Sequence, residues 1–229
     1  MTNSISSDAG AFAAIFDLDG TLVDTADDLA AALNFVLEDA GRAPLPLASV
    51  RGLVGAGARA LVERGFEDEP ASDDALTKAR VDQLVDYYAA NIAVRSKPFP
   101  GVMEAIDELA AQGARFAICT NKREALATSL VSALGLDRIF TVVIGADTLP
   151  TRKPDPAPVL ACLDRLGVPR GVFFGDSDTD IKAAQAARTP CLAFNGGYGP
   201  LSLRDNAFAV FSDYEKAPQL VAAALRASV

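Results

Sequence analysis

Apolar positions along the chain fall into two patterns. Short, nearly continuous runs rich in Val, Ile and Phe recur at Ala11 to Phe16, Ala114 to Cys119, Val142 to Ile144, Val172 to Phe174 and Cys191 to Phe194. Residues that are apolar at successive rather than alternate positions predict strands covered on both faces. Between these runs the apolar spacing changes to three and four. Ile106, Leu109 and Ala110 precede Gly113, Leu126, Leu130, Val131 and Leu134 precede Gly135, and Val159, Leu160, Leu163 and Leu166 precede Gly167. Each set reads as a helix closed by a C-terminal glycine. Strand alternating with helix predicts an α/β fold, a Rossmann-like parallel sheet with helices on both faces.

One segment departs from this alternation. From about Asp24 to Arg95 there are helical patterns and no convincing strand. Leu29, Leu33, Val36, Leu37 and Ala40 keep helical spacing up to Gly41, and a second long helix is expected from near Ser72, carrying Leu76, Leu84, Val85, Tyr88 and Ile92. Shorter helices are expected over 47–54 and 58–64. Lys97-Pro98-Phe99-Pro100-Gly101 cannot continue a helix and returns the chain to the sheet. The division expected is an α/β core made of 1–23 and 97–229, with an all-helical cap domain over 24–96. Within the cap, Asp27 and Asp28 fall in a first helical turn, where negative charge favours the helix dipole.

Composition narrows the function more than the fold. The chain has 229 residues, half of them apolar, which is enough for a sizeable core. No apolar run approaches the roughly 18 residues of a membrane span, and MTNSISSDAG has neither the basic nor the apolar region of an export signal. A cytoplasmic protein without membrane contact is expected. A net charge of −9 without basic clusters argues against nucleic acid. Cys119, Cys162 and Cys191 are widely spaced and odd in number, so buried free thiols are expected rather than disulfides or a thiolate zinc site. The chain has no histidine, which excludes Ser-His-Asp and Cys-His catalysis, H-E-x-x-H zinc chemistry and every imidazole base.

In an open parallel sheet, ligands bind beyond the carboxyl ends of the strands. Here those ends are followed by Asp17-Leu18-Asp19-Gly20-Thr21, by Thr120-Asn121-Lys122, by Arg152-Lys153-Pro154-Asp155-Pro156 and by Gly175-Asp176-Ser177-Asp178-Thr179-Asp180. Two carboxylates two residues apart, as at Asp17 and Asp19, repel one another unless a cation intervenes, so the stretch reads as a metal site or an acid–base pair. A calcium loop fails in both candidate registers. Leu22 or Ile181 stands where the turn glycine is needed, and Ala187 replaces the bidentate acid of the second. Gly55-Ala56-Gly57-Ala58-Arg59-Ala60 has the letters of a dinucleotide fingerprint, but it lies inside the helical insertion and reads as a loop and helix start. The remaining reading is a hard cation held by Asp17 and Asp176, with Lys153 and the Thr120 hydroxyl close by. Such an oxygen-rich site suits Mg²⁺ and a phosphate, the ingredients of phosphoryl transfer.

The ordered segments DLDGT (17–21), TN (120–121), RKPDP (152–156) and GDSDTD (175–180) resemble the haloacid dehalogenase superfamily, specifically its phosphatases. The helical segment sits where that family inserts a cap. The resemblance implies Asp17 as nucleophile, forming an aspartyl-phosphate, and Asp19 as general acid and then base. It implies Thr120 and Asn121 as holders of phosphoryl oxygens and Lys153 as the neutralising cation. Mg²⁺ would be ligated by Asp17, the Asp19 carbonyl and Asp176, with Asp180 in support. Asp19 disfavours a dehalogenase, and the only lysines over 24–97, Lys78 and Lys97, do not match the early cap position of a phosphonate-cleaving lysine. Within the family, RGLVGAGARALVERGF (51–66), VVIGADTL (142–149) and NGGYG (195–199) resemble phosphoglycolate phosphatases, although NGGYG departs from the T-Y-G-Y pattern expected there. A small phosphorylated metabolite is the implied partner, the chain acting as monomer or homodimer. A sugar-phosphate mutase of the β-phosphoglucomutase type, or a phosphatase for another small ester, is the alternative. Arg51 and Arg59 are candidates for the cleft, since an acidic protein needs local positive charge for an anionic substrate. Tyr87 and Tyr88 read as packing.

Overall fold

A computed structural model describes residues 10–55, 57–69, 73–199 and 201–227. Six strands form one parallel sheet: β1 (Phe12–Phe16), β4 (Ala114–Cys119), β5 (Phe140–Ile144), β6 (Gly171–Gly175), β7 (Cys191–Phe194) and β8 (Ala209–Phe211). Their order across the sheet is β5-β4-β1-β6-β7-β8. β1 is central, pairing in parallel with β4 on one side and β6 on the other. The β1 run is buried at all five positions, as is that of β6, which accounts for their continuous apolar sequences.

Helices α5 (Val102–Ala111), α6 (Glu124–Ala133), α7 (Ala157–Leu166), α8 (Asp178–Ala186) and α9 (Ala217–Ala227) cover the two faces. Alternate residues of β1 divide between two cores. Phe12, Ala14 and Phe16 join the larger one with residues of α5, α6 and α9. Ala13 and Ile15 join the smaller one with Val159 and Cys162 of α7 and Ile181 of α8. Phe16 and Phe174, side by side on β1 and β6, stack at 4.2 Å between ring centroids. That pair fastens the two strands whose ends carry Asp17 and Asp176, each such ring contact contributing on the order of 1 kcal/mol beyond buried area. Cys119, Cys162 and Cys191 are free and buried. Among the described residues no helix is long and apolar enough to cross a membrane.

Between β1 and α5 the chain forms the expected helices: α1 (Ala26–Asp39), α2 (Leu47–Arg51), α3 (Ala58–Gly65) and α4 (Asp74–Ala90). The start expected near Ser72 lies outside the described residues. α4 is capped by Asp73, whose side chain accepts from the Ala75 amide. Two features differ from the sequence reading. The ends of the helical segment pair as a short antiparallel ribbon, β2 (Val23–Asp24) with β3 (Lys97–Pro98), too short to leave a strand pattern. Asp28 does more than complement a dipole. It is buried and accepts from the Arg95 amide at 3.0 Å, and from the Ser96 amide and hydroxyl at 2.8 and 2.6 Å. The carboxylate thereby ties the first turn of α1 to the strand that returns to the sheet.

Candidate active site

Because all six strands run the same way, the residues that follow β1, β4, β5 and β6 meet at one edge. The Asp17 amide donates to the Phe174 carbonyl and the Thr120 amide to the Ile144 carbonyl, so each polar loop begins where a ladder ends. Close approach there requires small residues. Gly20 has φ +82°, and a Cβ on it would lie 2.5 Å from an Asp176 carboxylate oxygen. A Cβ on Gly175 would lie 2.3 Å from that of Asp180.

Four of the predicted residues form one cluster. Oxygens of Asp17, Asp176 and Asp180 lie within 4.8 Å of one another. The Lys153 ammonium reaches Asp17 Oδ1 at 3.0 Å and Asp180 Oδ1 at 2.6 Å. Asp17 Oδ1 also accepts from the Leu18 amide at 2.7 Å, whereas Oδ2 accepts no hydrogen bond among the described residues. Asp180 is fully committed. Its Oδ2 takes the Ser177 hydroxyl at 2.6 Å and the amides of Asp176 and Ser177 at 3.2 and 3.1 Å, within the capping box of α8. Asp176 is held by the Thr21 hydroxyl at 3.0 Å and the amides of Tyr198 and Gly199 at 2.8 and 3.3 Å.

Burial pushes the Asp17 carboxyl up to about 8; Lys153 opposes this, and the neighbouring Asp180 and Asp176 add to it. Burial, reinforced by Asp180, likewise pushes Asp176 up to about 6. For Lys153 burial acts to lower the pKa, but Asp17 and Asp180 outweigh it and hold the ammonium well above its usual range. Three buried carboxylates facing one ammonium leave an excess of negative charge, and the donor set is entirely oxygen. These residues fit a small, hard divalent cation such as Mg²⁺.

Asp19 points elsewhere. Its carboxylate accepts from Lys122 Nζ at 2.7 and 3.0 Å and from the Thr25 hydroxyl at 2.7 Å. Lys122 in turn donates to the Tyr88 hydroxyl at 2.9 Å. Asp17 and Asn121 line two adjoining cavities. The larger, about 560 Å³, is also walled by Asp19, Thr120, Lys122 and Tyr88, and the smaller, about 150 Å³, by Lys153, Asp176 and Asp180. Thr120 is buried, and its hydroxyl accepts from the Lys122 amide at 3.2 Å. The Asn121 side-chain amide donates to the Lys153 carbonyl at 3.0 Å, leaving Oδ1 as a buried polar atom without a partner among the described residues.

Arg51 is not brought to either cavity wall. It pairs with Asp24 at 2.9 Å, its guanidinium 5.2 Å from the centre of the Tyr198 ring. The nearby carboxylate captures it, and Arg59 lines the larger cavity instead, itself bound to Glu63 and Asp74. Gly55 and Gly57 also face that cavity, immediately before α3. Three residues at the site have no role in the sequence reading. Lys122 was visible at the sheet edge, directly after Thr120-Asn121, but its partner is 103 positions away. Tyr88 does pack, as its spacing with Leu84 implies, yet its hydroxyl reaches the site. The Tyr198 hydroxyl accepts from the Thr25 and Ala26 amides at 2.7 and 3.1 Å and contacts the Asp24 carboxylate.

The family model described as haloacid dehalogenase-like hydrolase matches residues 14–194, which include all of these site residues except Tyr198 and Gly199. The chain belongs to the haloacid dehalogenase-like hydrolase family. As a member of it, the protein is similar to a Caulobacter vibrioides phosphoglycolate phosphatase, with 47% identity over 186 residues covering 80% of this chain and 78% of the relative. It is 41% identical over 210 residues to the Rhodospirillum rubrum phosphoglycolate phosphatase, covering 88% and 87% of the two chains. The hydrolase also superposes on the crystal structure of a predicted phosphoglycolate phosphatase from Haemophilus somnus 129pt, with a TM-score of 0.83 at 29% identity, covering 93% of this chain and 99% of that one. Its enzyme class is that of the phosphoric monoester hydrolases.

Proposed function

We propose that this hydrolase is a Mg²⁺-dependent phosphoglycolate phosphatase working through an aspartyl-phosphate on Asp17. The observation that carries the reading is the arrangement around Asp17. One oxygen is bound by Lys153 and the Leu18 amide, while the other has no hydrogen-bond donor among the described residues and belongs to a side chain lining both cavities. That oxygen attacks phosphorus, the ester P–O bond breaks, and Asp19 gives a proton to the departing alkoxide. Asp19 then takes a proton from water as the water oxygen attacks phosphorus, releasing phosphate and restoring Asp17. Thr120 and Asn121 hold phosphoryl oxygens, and Lys153 offsets charge between nucleophile and phosphate. Asp17, the Asp19 carbonyl and Asp176 would hold Mg²⁺, with Asp180 in support. Bound there, the cation supplies charge neutralisation for the phosphoryl group.

Residues 24–96 act in this reading as a cap over the core of 1–23 and 97–229, since the larger cavity has walls from both. The phosphoglycolate phosphatase relatives support the substrate, and the buried free thiols suit a reducing cytoplasm. The test is kcat/KM over 2-phosphoglycolate, glucose phosphates and nucleotides with Mg²⁺. The expected result is preference for 2-phosphoglycolate and loss of at least about 10³-fold in Asp17→Asn, in line with removal of a covalent nucleophile. Wild-type turnover by Asp17→Asn refutes the nucleophile. Transfer of phosphate to a sugar in place of water establishes a mutase.

A further inference from the structure

The Lys122 ammonium has three N–H donors, and all three are in use. Two go to Asp19 Oδ1 and Oδ2 at 2.7 and 3.0 Å, and the third goes to the Tyr88 hydroxyl at 2.9 Å. The nitrogen also lies 4.4 Å from the centroid of the Tyr88 ring, within range of a cation–π contact. Only 6% of the Lys122 side chain is exposed, against 9% for that of Asp19, so water competes little for these bonds. Lys122 follows β4 in the sheet domain, whereas Tyr88 belongs to α4 of the helical segment. The two elements meet here through a chain that runs from α4 to Lys122 and on to Asp19.

We infer that Lys122 and Tyr88 are positioning residues that couple placement of the helical segment to the aim of Asp19. The inference rests on the reading of Asp19 as the proton-transfer residue. Whether Asp19 delivers a proton to the departing oxygen or removes one from water, its carboxyl must be aimed at that atom. Thr25 restrains one oxygen alone, while Lys122 spans both and so sets the rotation of the carboxyl group. Lys122 is in turn anchored by a hydroxyl that is present only when α4 lies against the core. With α4 displaced, the ammonium keeps its two bonds to Asp19 but loses the third bond and the ring that fix its position.

A misaimed acid penalises esters in proportion to their need for a proton. An alkyl phosphate, whose alkoxide is a poor leaving group, depends on it strongly; p-nitrophenyl phosphate depends on it weakly. The readout is therefore the ratio of kcat/KM for 2-phosphoglycolate to that for p-nitrophenyl phosphate, measured with the full chain and Mg²⁺. Tyr88→Phe keeps the ring and removes the anchor. It is expected to lower the ratio about three- to tenfold, through kcat on the alkyl ester rather than KM. Lys122→Met is expected to lower the ratio about 10- to 100-fold, but it leaves Asp19 buried without its partner and risks misfolding, so Tyr88→Phe decides the matter. A ratio that stays within twofold in Tyr88→Phe overturns the inference, whatever Lys122→Met does. Absence of wild-type turnover on both esters overturns the functional reading and this inference with it.

Discussion

Removing a single oxygen from Tyr198 should unseat the start of α1. Thr25 stands at the N-terminus of that helix, yet its side chain does not cap it; its hydroxyl is turned to Asp19 instead. The capping acceptor is the Tyr198 hydroxyl, 173 positions away, which takes the Thr25 amide at 2.7 Å and the Ala26 amide at 3.1 Å. Both residues are fully buried. In Tyr198→Phe the Thr25 amide loses this acceptor, and Ala26 keeps only a weak contact to Asp24 Oδ1 at 3.4 Å. Leaving a buried donor unsatisfied costs about 1–3 kcal/mol, so the two together put the loss at about 2–4 kcal/mol. The Phe ring retains the packing against Phe99, whose ring centroid is 6.4 Å away, and the cation face presented to Arg51. For a chain of this size the loss corresponds to a fall in Tm on the order of 10 °C. Urea denaturation followed by far-UV circular dichroism should show a lower midpoint at unchanged slope. Tyr87→Phe, whose hydroxyl makes no hydrogen bond among the described residues, should shift stability by less than about 0.5 kcal/mol. A Tyr198→Phe effect as small as that of the control would refute the assignment of this hydroxyl as the helix cap.

Two further outcomes follow from the carboxylate cluster. In Gly175→Ala the new methyl would meet the Asp180 Cβ at 2.3 Å and Cγ at 2.6 Å, displacing the carboxylate that holds Lys153. Overpacking of this kind costs about 1–3 kcal/mol, and kcat/KM is expected to fall by about 10²-fold or more; a urea midpoint and a rate both at wild-type values would refute it. The pH dependence has a definite sign. Without cation, the folded protein holds protons on Asp17 (about 8) and Asp176 (about 6) that the unfolded chain releases near an ordinary carboxylate value of about 4. The folded state therefore binds more protons, and stability in EDTA falls as pH rises from about 4 toward 8. A cation replaces those protons, so apparent Mg²⁺ affinity should rise about tenfold per pH unit between about 6 and 8. Thermal midpoints in EDTA and in Mg²⁺ at several pH values check this, and a Mg²⁺-induced shift independent of pH contradicts it.

Much of this molecule is legible in its linear order, and the reason is local. Continuous apolar runs such as Phe12–Phe16 and Val172–Phe174 read as strands buried on both faces, and the helices between them imply a parallel arrangement. That arrangement brings the ends of β1, β4 and β6 to one edge, so Asp17, Thr120 and Asp176 could be gathered from spacing alone. The third member of the carboxylate cluster, Asp180, was visible as part of GDSDTD, and its capping of α8 is likewise a short-range matter. What the chain's order could not convey were partnerships between groups far apart in it, made by hydroxyls and ammoniums whose own surroundings look ordinary. Arg51 carries the right charge for the cleft, but Asp24 is near enough to take it. Tyr88 has the spacing of a packing residue and is one, with a hydroxyl placed on Lys122 by the way α4 meets the core. Asp28 has the position of a dipole partner but is consumed by Arg95 and Ser96, 67 and 68 residues on. Periodicity and strand direction set the sheet, its polar edge and the residue types gathered there, and both can be read along the chain. Where each charge points is settled in three dimensions, because a side chain bonds to whichever donor or acceptor the fold leaves within about 3 Å, and sequence distance has no bearing on that choice.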